Sequence, residues 1–256
     1  IRSFIWPIYS HELKKLIPMF LLFFFISFSY NLLRNMKIAV VVTLKDSGAQ
    51  VIPFLKIGGV LPCAIFMTYI FTKLINKYTR EQVFFLMLTS FLIYFSFFMF
   101  VLFPNQDRLT LYKISYFIQT YFLTTEGFSG FIAVIKYWNL ALFYILSEMW
   151  GAIVLSMLFW GFANEITNID EAKRFYAIFA LGANASGIFI GIFTSWLGGL
   201  NVYKIPFYSE KYQWVFYQLL TVILIGVFII ILFFILNYYI LKSYECKFLD
   251  FEKNDV

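Results

Sequence analysis

The sequence predicts an all-α integral membrane protein with six transmembrane helices. Of its 256 residues, 62% are apolar, 23% are aromatic and only 13% are charged, whereas soluble domains carry about 25% charged residues. The apolar residues form six runs, each long enough to cross a hydrocarbon layer of about 30 Å as a helix. These runs are unbroken rather than alternating, which excludes a membrane barrel, and the composition also excludes a soluble core and intrinsic disorder.

The six runs define one domain over residues 1–256. Tyrosine and tryptophan cluster where the runs end, as expected at membrane interfaces; Trp138 and Trp214 are examples. The expected spans are 17–42, 53–72, 83–103, 139–163, 175–197 and 214–241.

The distribution of Lys and Arg predicts the orientation of the spans. With six spans, the two termini and two of the loops lie on the same side of the membrane, and together they carry eleven of these residues. The three loops on the other side carry six. The positive-inside tendency therefore places both termini in the cytoplasm. The segment 111–124, LYKISYFIQTYFLT, is too short and too polar to cross comfortably, and we interpret it as an interfacial or re-entrant helix in an outer loop. If it spans, every later loop changes side.

The loop before the fifth span has the pattern of a capped helix start. Asn168 precedes Glu171 by three residues, and Asp170 precedes Arg174 by four, a favourable helical ion pair. Further along, Gly187 and Gly191 follow Ala183 at helical spacing and predict a face for close helix packing. We interpret both features as structural.

Most catalytic templates are missing from the sequence. The single histidine, His11, precedes the first span and reads as a surface residue, and the two cysteines, Cys63 and Cys246, are far apart. These residues cannot assemble a metal site, and the chain has no G-x-x-x-x-G-K-[ST] loop for a triphosphate. We therefore expect neither an enzyme nor an ABC-type ATPase subunit, and we expect no cofactor and no nucleic acid partner.

Charged residues at membrane depth are the candidates for a functional site. Arg34 and Lys37 are three residues apart on the first span, Tyr30 lies one turn before Arg34, and Glu148 lies well inside the fourth span. A charge near the bilayer centre costs at least about 2.5–3.5 kcal/mol, so such residues face a bundle interior or water. Lys56, near the outer start of the second span, can extend to the interface.

Two interpretations of these charges stay open. Arg34 and Lys37 can instead lie at the outer interface if the first span ends early, and Glu148 can be a structural partner of one cation, a ligand contact, or both. Two cations against one acid in a wet cavity favour an anionic solute, and phosphate matches Arg and Lys well. The residues alone therefore predict half of a transporter for a small anion.

Four stretches of the sequence are distinctive. Three of them are WPIYSHELKKLIPMF at 6–20, RNMK at 34–37 with VVVT at 40–43, and PFLKIGGVLP at 53–62. The longest is EMWGAIVLSMLFWGFANEITNIDEAKRFYAIFALGANASG at 148–187. These stretches resemble the non-mitochondrial ATP/ADP translocases of intracellular bacteria and plastids.

The resemblance implies the N-terminal half of a twelve-span transporter of the major facilitator type in a bacterial inner membrane. Such transporters bind solute between two six-span halves near mid-membrane, so the implied partners are a nucleotide, the bilayer and a C-terminal half that this chain lacks. In the family a lysine of span 1 and a glutamate of span 4 are tied to nucleotide transport, and Lys37 and Glu148 match them. Arg34 and Tyr30 complete the expected substrate-binding set. The loop KLINKYTRE at 73–81 resembles a degenerate facilitator gating motif, with Asn76 in place of its acid.

The span 1 motif departs from the family pattern, which reads Arg-Asp-Thr-Lys-Asp. Here Asn35 and Ile38 replace the two acids, which makes this face more positive. ATP/ADP exchange is one expectation, and a paralogue that takes up other nucleotides or uses another coupling ion fits equally. A facilitator-like carrier of another organic anion and a transport-inactive structural membrane protein are the remaining alternatives. The missing half indicates a fragment or one half of a split transporter.

Overall fold

The computed structural model describes residues 12–42, 48–121, 128–199, 205–206, 208–209 and 212–254, with the backbone only for 198–199 and 239–254. His11, interpreted above as a surface residue, lies outside these ranges. Throughout the described residues the regular structure is helical. Six helices are long and apolar enough to cross a membrane, so this prediction is confirmed. They are α1 (Leu13–Val42), α2 (Gly48–Lys77), α3 (Arg80–Leu102), α7 (Trp138–Ile166), α8 (Ile169–Gly199) and α9 (Gln213–Asn254).

Three of the long helices contain a wider, π-type stretch. These stretches are Leu55–Val60 in α2, Phe98–Leu102 in α3 and Gly151–Phe159 in α7. A π-type turn adds a residue to the helical repeat, so the side chains beyond it are rotated relative to those before it, and such turns are frequent at functional sites. In α2 the stretch contains Lys56, and in α7 it begins three residues after Glu148.

Helix α1 is the centre of the bundle. It packs along α8, α9 and α7, and its buried residues are found on most of its circumference. A polar contact joins α1 to α8, because Asn31 Nδ2 donates to Ser186 Oγ at 3.1 Å. α7 in turn contacts α2, and α9 contacts α3. Because α1 is surrounded by other helices, a charged side chain on it can be buried by the protein itself.

Aromatic rings fill the interior of this bundle. Phe98 stacks on Phe143 with ring centroids 4.2 Å apart, and Phe84 stacks on Phe233 at 4.0 Å. Trp150 is fully buried among these helices. Because lipid is as apolar as a protein core, close packing of such rings, and not burial from water, holds membrane helices together.

The described residues between α3 and α7, 103–121 and 128–137, contain three short helices. They are α4 (Gln106–Leu109), α5 (Tyr112–Tyr121) and α6 (Ser129–Lys136). α5 covers most of the segment predicted as interfacial, and its ten residues extend only about 15 Å, half the thickness of the hydrocarbon layer. α6 packs on the start of α2, where Ser129 Oγ donates to Gln50 Oε1 at 2.8 Å.

Two ion pairs join the beginning of α1 to the beginning of α8. Lys15 Nζ lies 2.6 Å from Glu171 Oε2, and Arg174 pairs with Glu12, whose side chain is nearly buried. Glu171 also accepts from the backbone N–H of Asn168, as the predicted capping arrangement requires. The predicted pair of Asp170 with Arg174 is wrong. Asp170 pairs with Lys173 at 3.4 Å, because Arg174 points inward to α1.

Arg174→Gln is expected to destabilise the folded protein more than Lys173→Gln. Arg174 pairs with a nearly buried carboxylate, whereas the side chain of Lys173 is 72% exposed. Loss of a charged hydrogen-bond partner costs about 1.5–3 kcal/mol, and an exposed pair contributes at most about 1 kcal/mol. Thermal unfolding in detergent checks this order, and equal losses for the two variants would contradict it.

Candidate functional site

The described residues bring one cation and one acid together inside the bundle. Lys37 of α1 is 2% exposed and forms an ion pair with Glu148 of α7, whose side chain is 31% exposed. The acid thus reaches the bundle surface while the lysine does not. Isolated buried charges are strongly unfavourable, so the carboxylate is what makes a charged lysine tolerable at this position.

A tyrosine that the sequence analysis missed completes the surroundings of Lys37. Tyr144 is buried on α7 one turn before Glu148, and its ring centroid lies 5.0 Å from Lys37 Nζ. An ammonium over an aromatic face gains a cation–π attraction of about 0.5–2 kcal/mol. The spacing of four residues between Tyr144 and Glu148 was the available signal, because such residues share a helix face.

Tyr30 contacts the same helix further along. Its ring lies against Gly151 so closely that a Cβ atom added at Gly151 would overlap the ring. Glycine at this position therefore leaves room for the Tyr30 ring where it lies between α1 and α7. Tyr30 is partly exposed, so the ring borders the surface as well as the interface between the two helices.

Arg34 differs from Lys37 in its surroundings. Although three residues apart on α1, Arg34 is exposed and Lys37 is buried. Lys56, exposed on the π-type stretch of α2, and Arg34 both lie near enough to repel the charge on Lys37. Among the predicted site residues, Lys37 and Glu148 are thus in direct contact. Tyr30 lies two helical turns before Lys37 on α1 and contacts α7 one turn beyond Glu148, at Gly151. Arg34 lies outside the pair.

The arrangement fits reversible binding of an anion. Lys37 is held by one carboxylate, and two further cations stand nearby on exposed positions. A phosphate entering between them can accept from Lys and Arg donors as strongly as a carboxylate does. The described residues contain no group of three or more His, Cys, Asp or Glu side chains able to hold a metal ion.

Comparison with known proteins identifies the family of the chain. The model of the family described as TLC ATP/ADP transporter matches residues 1–255. The chain belongs to the TLC ATP/ADP transporter family. Family membership and the six apolar helices together identify a multi-pass membrane protein.

Several curated relatives of the chain are carriers by name. ADP,ATP carrier protein 1 of Chlamydia trachomatis is 45% identical over 201 residues, which are 78% of this chain and 38% of that protein. ADP,ATP carrier protein 2 of Chlamydia pneumoniae is 40% identical over 87% of this chain and 41% of its own length. The chloroplastic ADP,ATP carrier protein 1 of Arabidopsis thaliana is 46% identical over 70% of this chain and 28% of its own. No solved structure matches the chain.

Gly151→Ala is expected to displace the Tyr30 ring without unfolding this member of the TLC family. The added methyl group overlaps the ring, which can turn aside because it is partly exposed. If Tyr30 contributes to solute binding, affinity should fall by about the 0.5–1.5 kcal/mol that an aromatic contact provides. Gly187→Ala is the control, because a Cβ atom there meets open space. Equal solute affinity in both variants would remove Tyr30 from the site.

Proposed function

We propose that the chain is the N-terminal membrane half of a nucleotide transporter, working by ATP/ADP exchange or by a related nucleotide uptake. The observation that carries the proposal is the buried Lys37–Glu148 pair between α1 and α7 in a member of the TLC family. The chain spans about 40% of the length of the chlamydial carriers it matches, so the activity of the whole protein is inferred here from its relatives and from this pair.

The proposed architecture is a twelve-helix transporter of the major facilitator type. In that architecture two six-helix halves enclose a solute site near the bilayer midplane and expose it alternately to each side. The charged pair on the first and fourth spanning helices, α1 and α7, supports this arrangement because the pair is open to the bundle surface through Glu148. A C-terminal half would supply the opposite wall.

The proposed mechanism is an exchange of partners at Lys37. In the empty carrier Glu148 neutralises the buried ammonium, and an incoming nucleotide phosphate takes its place while Arg34 attracts the solute from its exposed position. Breaking a buried pair without a replacement costs about 3–5 kcal/mol, so the charges stay paired in both states. No step of this cycle needs a cofactor.

Uptake of labelled nucleotides by the full-length protein in proteoliposomes tests the proposal. Vesicles loaded with ADP should take up ATP, and empty vesicles should not. Dependence on an ion gradient instead of internal ADP would favour the related uptake activity. The exposed Asn35 and Ile38 support this second possibility, since they replace the two acids of the family motif. Absence of uptake for every nucleotide, with transport of another organic anion or of none, would overturn the proposal.

The proposed orientation places both termini in the cytoplasm of a bacterial inner membrane. In a variant whose Cys63 and Cys246 are replaced by Ser, a cysteine at Asn105 should react with a membrane-impermeant reagent added outside. A cysteine at Thr79, at the opposite end of α3, should react only after the membrane is opened. External labelling of the Thr79 position would reverse the orientation.

A further inference from the structure

A cleft of 330 Å³ opens between α2, α3, α7 and α9, away from the Lys37–Glu148 pair. Its residues show a clear division into an apolar wall and a polar rim. Phe71, Ile75, Phe84, Phe162 and Phe233 belong to the wall, and Arg80 belongs to the rim.

The wall of the cleft is largely aromatic. Phe233 stacks on Phe84 with parallel rings, and Phe162 lies 4.9 Å from Phe233 between centroids. Three rings on three different helices fix one another in this way. Ile75 of α2, which also lines the cleft, is 36% exposed. A flexible hydrocarbon chain is the ligand that such a wall accommodates, because it offers contact area without demanding hydrogen bonds.

The rim of the cleft carries a guanidinium group. Arg80 Nη1 donates to Glu165 Oε2 at 3.2 Å and to the carbonyl oxygen of Gly161 at 3.4 Å. The side chains of Arg80 and Glu165 are 54% and 52% exposed. Both contacts use Nη1, so they leave the N–H groups on Nη2 and Nε of Arg80 for another acceptor. A phosphate is the anion that a guanidinium binds best, through two parallel hydrogen bonds.

The cleft lies at the end of the membrane spans. Arg80 is the first residue of α3, and Glu165 is the second-to-last residue of α7, so the polar rim is at the interface and the apolar wall extends from it toward the hydrocarbon layer. From Met157 to Asn164 the wall follows α7 for about 10 Å. This order of polar and apolar groups is that of a phospholipid in the adjoining leaflet.

We propose that this cleft binds a glycerophospholipid, with its phosphate on Arg80 and the first part of an acyl chain against the aromatic wall. A nucleotide fits the cleft poorly, because the wall lacks polar side chains able to recognise a base; Arg80 and Asn164 are the polar side chains that line it. The phosphate of the lipid thereby takes over part of the contact that the exposed Arg80 makes with Glu165. A head group that also carries an ammonium can in addition pair with Glu165.

Photochemical cross-linking tests the proposal on the full-length protein in membrane vesicles. The probes are phospholipids that carry a diazirine near the start of one acyl chain and have a phosphoethanolamine, phosphoglycerol or phosphocholine head group. The control without phosphate is a diacylglycerol with the same diazirine-labelled chain. Peptides covering residues 71–84 and 157–165 should be labelled by the phospholipids and several-fold less by the diacylglycerol. Preference among the three head groups identifies the natural lipid.

Two variants separate binding in the cleft from general contact with lipid. Gly161→Leu places a side chain into open space at the wall and should reduce labelling of these peptides at least fivefold. Arg80→Gln should lower phospholipid labelling to the level of diacylglycerol. Their controls are Gly187→Leu, which also enters open space but on α8, and Lys173→Gln, an exposed cation near the same end of the bundle.

The outcome does not depend on transport. Labelling that is equal in Arg80→Gln and the original protein would overturn the role of the phosphate. Labelling that survives Gly161→Leu in a folded protein would overturn the cleft as the site. The uptake assay can fail while this experiment succeeds, so the two proposals are judged separately.

Discussion

Replacing Glu148 with Gln is expected to slow nucleotide transport about a hundredfold, which corresponds to about 2.7 kcal/mol in the barrier. The amide keeps the size of the side chain but removes the charge that neutralises the buried Lys37. An empty carrier with an unpaired buried ammonium is unfavourable, so the return step without solute should become limiting. Nucleotide binding should survive or tighten, because a negative charge next to the phosphate has gone. Glu148→Asp should be milder, limited by its shorter reach.

A double replacement tells a transport role from a folding role. Lys37→Met with Glu148→Met removes both charges, and replacing a buried ion pair by apolar residues is often neutral for stability. We expect thermal stability close to that of the original protein and no transport. Asp170→Asn, at a residue whose side chain is 88% exposed, should leave transport unchanged. Normal transport in Glu148→Gln would reduce Glu148 to a packing residue.

The helical architecture was predictable because it depends on composition and run length. Unbroken apolar runs of sufficient length must form helices in a membrane, since lipid offers no partner for backbone groups. The helix start at Asn168 was also predictable, because capping involves residues only three apart.

Contacts between distant segments were not predictable in the same way. Asp170 and Arg174 have favourable spacing, but Arg174 pairs with Glu12 of another helix. Gly187 and Gly191 were expected to pack closely, whereas both face open space and Gly182 instead lies against Phe20 of α1. Spacing defines which residues share a face, but it does not say which face meets a neighbour.

The candidate site shows the same limit. The cost of a charge in the membrane singled out Lys37 and Glu148, and these two are in contact. The same cost did not predict that Lys37 is buried while Arg34 is exposed. That difference depends on the rotation of α1 about its axis, which is fixed by its packing against α7, α8 and α9. Nor did the cost show that Lys56 lies near enough to repel the charge on Lys37, since the π-type stretch that presents Lys56 has no simple sequence signature.

Lys37→Ala is expected to weaken nucleotide binding about tenfold or more, because a charged hydrogen-bond partner contributes about 1.5–3 kcal/mol. The loss should be the same for adenine, guanine and cytosine nucleotides, since an ammonium on a phosphate carries no information about the base. Adenosine, which has no phosphate, is the internal control, and any binding it shows should be unchanged. Lys173→Ala is the matched control variant, because this lysine is 72% exposed and pairs within its own helix. Equilibrium binding to the purified full-length protein, with thermal unfolding measured on the same samples, decides the question. A folded Lys37→Ala protein with undiminished affinity for every nucleotide would place Lys37 outside the site and leave its pair with Glu148 a structural one.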